Sequence, residues 1–137
     1  TTMERRSMKT LQPPGWLRPK GFSNGIAARG EMVFIAGIVG WNSQEQFETD
    51  DFVGQARQCF ANIAAVLAEA DAKPEHVVRL TWYVNNRDEY LNAGKALGAA
   101  YREFFGKHYP VMAVIGVEGF VAERAKMEME ATAVIPD

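Results

Sequence analysis

The segment EMVFIAGIV, Glu31–Val39, constrains the fold more than any other part of this 137-residue chain. Its apolar side chains stand at odd and even positions alike, so a strand formed by it is apolar on both faces. Such a strand needs a cover on each side of its sheet. We therefore expect helices on one face of the sheet and a second subunit on the other face.

Two segments with helical periodicity alternate with the predicted strands. Apolar residues recur every three or four positions in residues 51–71 and again in residues 88–105. Gly106 is typical of the glycine that ends a helix. Gly94 and Gly98 lie on one face of the second helix. They indicate either a close contact with another helix or two poor helix formers that this helix tolerates.

The remaining elements define the fold class. Strands are predicted at residues 22–29, 76–84, 111–117 and 126–135. With Glu31–Val39 and the two helices they give the order ββαβαββ, an α+β fold whose mixed sheet carries two helices on one face. Residues 1–20 contain three prolines and are predicted as an irregular or extended arm. Residues 21–137 are then one domain.

Charge and composition disfavour several classes of function. Fifteen basic and 17 acidic residues give a net charge of −2, and no basic cluster is long enough to bind nucleic acid or an anionic membrane. The one cysteine, Cys59, cannot form an internal disulfide, which favours the cytoplasm. It falls in an apolar helix stripe, as a structural residue does. His76 and His108 lack partners at metal-ligand spacing, so we expect no metal.

Glu128 is the carboxylate of greatest interest. It alternates with Met127 and Met129 in the last predicted strand, on the opposite parity. If that face is open to water, Glu128 is an ordinary surface residue. If it borders a cleft or a subunit contact, Glu128 is suited to proton transfer. Trp82 and its aromatic neighbours either line a pocket or belong to the core.

Three stretches of the chain resemble the RidA/YjgF family of enamine and imine deaminases, also known as L-PSP endoribonucleases and translation inhibitors. The stretches are KGFSNGIAARGEMVFIAG, QARQCFANIAAVLAEADAKPEHVVRLTWYVNN and AAYREFFGKHYPVMAVIGVEGFVAERAKMEMEATAVIP. The resemblance covers roughly residues 19–136. It implies a chorismate-mutase-like fold and a homotrimer, with small-molecule pockets at the subunit contacts.

The resemblance also implies a set of site residues, most of which are changed here. Active members hold the substrate carboxylate with the arginine of a Pro-Ala-Arg tripeptide, and this chain has Met112 at that position. Other polar positions of the family are occupied by Phe22, Ala36, Ile38 and Gly98. The family glutamate is kept as Glu128, with backbone N–H groups near Gly37 and Val114 expected to assist it. An apolar pocket of this kind suits a larger or aromatic ligand, stacked on Trp82.

Three functions follow as hypotheses. The first is a cofactor-independent enamine or imine deaminase, for example an aminomuconate-type enzyme, that is distinct from the 2-aminoacrylate enzyme. The second is a small-molecule-binding trimer without catalysis, because a family member that has lost its activity is expected to lack the arginine. The third is a ribonuclease or translation inhibitor, which the acidic balance disfavours.

Overall fold

A computed structural model describes residues 8–137. The strands are β1 Met8–Leu11, β2 Gly25–Ala28, β3 Glu31–Val39, β4 Val77–Val84, β5 Val111–Gly116 and β6 Met127–Ile135. The helices are α1 Phe52–Ala68, α2 Arg87–Asn92 and α3 Gly94–Phe105, and a 3₁₀ turn spans Pro74–His76.

The main sheet has four strands in the order β3-β6-β4-β5. The β4–β5 pair is parallel and the other two pairs are antiparallel, so the sheet is mixed. Strands β1 and β2 form a separate antiparallel ribbon. The predicted α+β class with a mixed sheet is therefore confirmed.

Helices α1 and α3 pack on each other, and α1 packs on β3 and β6. Helix α1 begins after Asp51, whose carboxylate accepts a hydrogen bond of 2.8 Å from the Gly54 N–H. Its apolar stripe is fully buried at Phe60, Ile63 and Leu67. The Phe60 ring contacts aromatic rings of the sheet and of α3, which places it at the centre of the core.

Two predicted elements differ from the structure. The strand predicted at residues 22–29 is limited to β2, because Ser23 forms an isolated parallel bridge with Val111 and hydrogen-bonds to the carbonyls of Pro110 and Tyr109 instead of extending the pairing of β2 with β1. The single helix predicted at residues 88–105 is divided into α2 and α3. Its break lies at Ala93, whose N–H donates to the carbonyl three residues earlier.

The predicted Pro-rich arm is partly ordered as a strand. Its residues 8–11 form β1, which pairs with β2 from Met8 opposite Ala28 to Leu11 opposite Gly25. The chain then turns at Gly15, where φ is +87° and a side chain would be strained. Residues 1–7 of the predicted arm lie outside the described residues.

Candidate functional site

Glu128 lies on the face of the sheet away from the helices. Its neighbours Met127 and Met129 are fully buried under the helices, as the alternation of β6 requires. Glu128 pairs with Val39 of β3 on one side and Tyr83 of β4 on the other. The side chain is half-buried, so it is a partly enclosed acid.

A β-bulge shapes the backbone beside this carboxylate. The β3–β6 register shifts between Ile35 and Ile38, so that Ala36 and Gly37 together stand opposite one residue of β6. A Cβ atom placed on Gly37 would lie 3.0 Å from Cδ of Glu128, and closer still to Oε2. Glycine at this position therefore leaves the room in which the Glu128 carboxyl rests against β3.

The Glu128 carboxyl borders a recess of about 560 Å³ at the edge of the sheet, which we call the Glu128 recess. Its lining includes Gly37, Ile38, Trp41, Asn42, Val121 and Glu128. The Asn62 amide supports one wall by donating hydrogen bonds of 3.2 and 2.8 Å to the carbonyls of Val39 and Trp41. The recess combines an apolar wall, a carboxylate and open access for a small molecule.

A second cavity, of about 350 Å³, lies on the opposite face of the sheet, and we call it the helix-side cavity. Its lining includes Trp82, Tyr90, Gly98, Tyr101, Arg102 and Met112. Burial raises the pKa of Tyr101 and of Tyr90, so both phenols are neutral near pH 7. The Tyr101 hydroxyl donates a 2.7 Å hydrogen bond to the carbonyl of His108.

The sheet itself separates the two cavities. Tyr83 pairs with Glu128, and the next residue back, Trp82, therefore points to the helix side. Met112 pairs with Leu80, which is fully buried, so Met112 also faces the helices. One chain consequently cannot bring Glu128 and the helix-side cavity into contact with one small ligand.

The residues expected at the site fall into separate groups within one chain. Gly37 and Ile38 lie with Glu128, whereas Trp82, Gly98 and Met112 line the helix-side cavity. Val114 packs against the core next to Trp82. Phe22 lines a third recess, and Ala36 is exposed on the edge strand β3.

Sequence reasoning missed Arg102 and the tyrosines of the helix-side cavity. Tyr90 and Tyr101 belong to the apolar helix stripe, where they read as ordinary core residues. The available signal was the spacing of Gly94 and Gly98, which line the helix-side cavity. A Cβ placed on Gly94 would meet no atom within 4 Å, and one on Gly98 would meet only the end of the Arg102 side chain, so neither glycine makes a close helix contact and the tolerance of two poor helix formers stays a prediction.

Cys59, His76 and His108, the remaining residues of a type that serves as nucleophile or metal ligand, lie in structural positions. Cys59 is fully buried, and burial, followed by the charge of Glu128, raises the pKa of its thiol. His76 accepts a hydrogen bond from the Lys73 N–H, and His108 Nε2 lies 2.6 Å from the carbonyl of Val77. Within residues 8–137, no three His, Cys, Asp or Glu side chains are grouped as metal ligands. The helices of the same residues are too short or too polar to traverse a bilayer.

Comparison with known proteins identifies the family. Residues 17–135 match the family model described as Endoribonuclease L-PSP. A RutC family protein of Aquifex aeolicus is 29% identical over 131 residues, covering 94% of this chain and 98% of that protein. The 2-iminobutanoate/2-iminopropanoate deaminase of Escherichia coli K12 is 29% identical over 108 residues, covering 77% and 80%.

A solved structure gives the same result. A conserved Rid-family protein from Yersinia pestis, YyfB, superposes with a TM-score of 0.83 at 31% identity, covering 95% of this chain and 100% of that one. The resemblance found in the sequence is thus confirmed by the family model and by the fold. This chain belongs to the endoribonuclease L-PSP family, the family of the RidA/YjgF proteins.

Proposed function

We propose that this chain hydrolyses the C=N bond of 2-imino acids, or of their enamine tautomers, without a metal or organic cofactor. The observation that carries the proposal is the Glu128 carboxyl, half-buried against Gly37 and open to the Glu128 recess. Relatives at 29% identity named 2-iminobutanoate/2-iminopropanoate deaminase support the reaction class. An imine carbon is electrophilic, so water and one proton-transferring group are sufficient for the reaction.

The chemistry requires one carboxylate to move protons. Water forms a C–O bond with the imine carbon while the C=N electron pair moves to nitrogen. Glu128 takes a proton from the water and returns it to that nitrogen. Glu128 then takes the hydroxyl proton and passes it to the amino nitrogen as the C–N bond breaks, so that ammonia leaves, the carbonyl of a 2-oxo acid forms and Glu128 is again a carboxylate. An enamine first takes a proton on carbon and loses one from nitrogen, which converts it into the imine that enters this sequence.

The site is proposed to lie between two copies of the chain in a homotrimer. Met32 and Phe34 of the edge strand β3 are 56% and 71% exposed, although the strand is apolar on both faces. A second copy that covers this strand can bring its helix-side cavity towards the Glu128 recess of the first. The trimer thereby joins the carboxylate and the cavity that one sheet keeps apart. The absence of an internal disulfide partner for Cys59 favours a cytoplasmic trimer.

The substrate is proposed to differ from 2-aminoacrylate. Met112 stands where the resemblance implies a carboxylate-binding arginine, and it lines a cavity whose walls are mostly aromatic and aliphatic. Met112 offers a substrate carboxylate neither charge nor donor, and a small anionic substrate buries too little apolar surface here to offset the cost of desolvating its charge. A substrate with a larger apolar group offsets that cost by burying its own surface.

A non-catalytic binding trimer is the second candidate, and the same replacement by Met112 favours it. A ribonuclease is disfavoured, because a net charge of −2 does not attract a polyanion. Catalysis and binding differ in one outcome: a binding protein gains thermal stability from its ligand and leaves that ligand unchanged.

An oxidase-coupled assay tests catalysis directly. An L-amino-acid oxidase releases imino acids from alanine or phenylalanine, and semicarbazide competes with the chain for each imine. We expect the chain to lower the initial rate of semicarbazone formation, with a larger effect for the phenylalanine product. An unchanged rate with both amino acids, together with ligand-induced stabilisation, would replace this proposal by the binding function.

A further inference from the structure

The helix-side cavity has the dimensions and walls of a ligand site. Its volume of about 350 Å³ falls in the range of small-molecule pockets. Trp82, Tyr90 and Tyr101 supply aromatic walls, and Gly94 and Gly98 leave room beside α3 because they carry no side chain. The cavity therefore suits a flat apolar group.

One cation, Arg102, lines this cavity. Arg102 follows Gly98 by one helical turn, and its Nη1 would lie 3.3 Å from a Cβ placed on Gly98. The guanidinium thus lies across the glycine. Within residues 8–137, Arg57 and Arg124 pair with carboxylates, whereas Arg102 has no carboxylate at ion-pair distance. Its charge and its planar set of donors are available to an anion.

Trp82, one wall of the cavity, carries a buried donor without a partner. The residue is 3% exposed, and its indole Nε1 is the one buried side-chain nitrogen or oxygen in residues 8–137 without a hydrogen-bond partner. Buried donors are normally paired, and an orphaned one is costly. Because Nε1 is enclosed by protein, a ligand in the cavity meets the apolar ring surface of Trp82 and not this donor.

We propose that the helix-side cavity binds arylalkyl carboxylates, with Arg102 holding the carboxylate in place of the missing β5 arginine. The aromatic group packs against the rings of Trp82, Tyr90 and Tyr101. If the chain hydrolyses imines as proposed, its substrates are the aryl 2-imino acids. Only this assignment of substrate rests on the proposed function. Small or doubly charged acids do not match one cation in an apolar cavity.

Equilibrium binding of 3-phenylpropionate to the intact protein tests the proposal without any reaction. We expect calorimetric binding of this acid and at least tenfold weaker binding of the neutral 3-phenylpropanol, which has no charge for Arg102 to hold. Arg102→Met is expected to weaken binding of the acid at least tenfold. The matched control is Lys95→Met, which removes a positive charge from the same helix at an exposed position outside the cavity.

A second variant fixes the location of the bound acid. Gly98→Leu fills the cavity on the α3 face, where the nearest obstacle is the flexible end of Arg102. We expect this variant to lose binding while its melting temperature does not fall, because leucine is a better helix former than glycine. Equal binding of acid and alcohol, or unchanged binding in Arg102→Met or Gly98→Leu, would overturn the proposal, as would no binding by the wild type.

Failure here and failure of the proposed function are distinguishable. 3-Phenylpropionate has no C=N bond, so its binding reports on the Arg102 site independently of the proposed reaction. Loss of binding without loss of imine hydrolysis would reject the Arg102 site alone. Binding without hydrolysis would keep that site and reject the proposed reaction.

Discussion

Glu128→Gln is expected to lower the rate of imine hydrolysis by about 100-fold or more, which is the usual contribution of a positioned acid or base. Glutamine keeps the size of the side chain and its place against Gly37, but it neither takes nor returns a proton. Because no packing is lost, we expect kcat to fall while the melting temperature stays close to that of the wild type. Initial rates in the oxidase-coupled assay measure the effect.

Glu130→Gln is the matched control for this prediction. Glu130 lies two residues along the same strand on the same face, outside the Glu128 recess, and it is exposed. Its carboxylate accepts a 2.9 Å hydrogen bond from the Tyr83 hydroxyl, a bond that glutamine can retain. We expect activity within about twofold of the wild type. Equal losses in the two variants would show that the outer face of β6, and not Glu128 itself, matters.

Phe60→Ala is expected to lower the free energy of unfolding by about 3–5 kcal/mol, the cost of truncating a buried phenylalanine. The ring is 1% exposed and lies 5.6 to 5.9 Å from four other aromatic rings, so the cavity left behind cannot collapse easily. Urea denaturation followed by circular dichroism measures the change.

Val66→Ala provides the comparison on the same helix. Val66 is 41% exposed, so its truncation is expected to cost less than about 1 kcal/mol. A similar loss in both variants, or a loss below about 1 kcal/mol in Phe60→Ala, would contradict the assignment of Phe60 to the centre of the core.

The elements that can be predicted from the sequence are those in which buried and exposed side chains recur at regular short intervals. The alternation around Met127 and Met129 predicts β6 and places Glu128 on the opposite face, because successive side chains of a strand point to opposite sides. The stripe through Phe60 and Leu67 predicts α1 in the same way. In each case, the information lies within a few neighbouring residues.

Features that depend on distant contacts do not follow from such periods. The bulge at Ala36 and Gly37 is a matter of register between β3 and β6, which are far apart along the chain. The pairing of β1 with β2 depends on where an irregular arm docks. The role of Arg102 can be inferred only when the position of Gly98 relative to the cavity is known. The spacing in the sequence shows only that the two residues lie one turn apart on the same helix.

Complementation between two inactive variants tests most directly whether the site is shared between copies. Glu128→Gln removes the proton-transferring group, and Gly98→Leu fills the helix-side cavity. In a mixed closed trimer, one of the three contacts joins an intact Glu128 to an intact cavity, so random 1:1 mixing restores about a quarter of the wild-type rate. We expect that recovery after joint refolding, with each variant inactive alone. No recovery in trimers shown to contain both variants would contradict it.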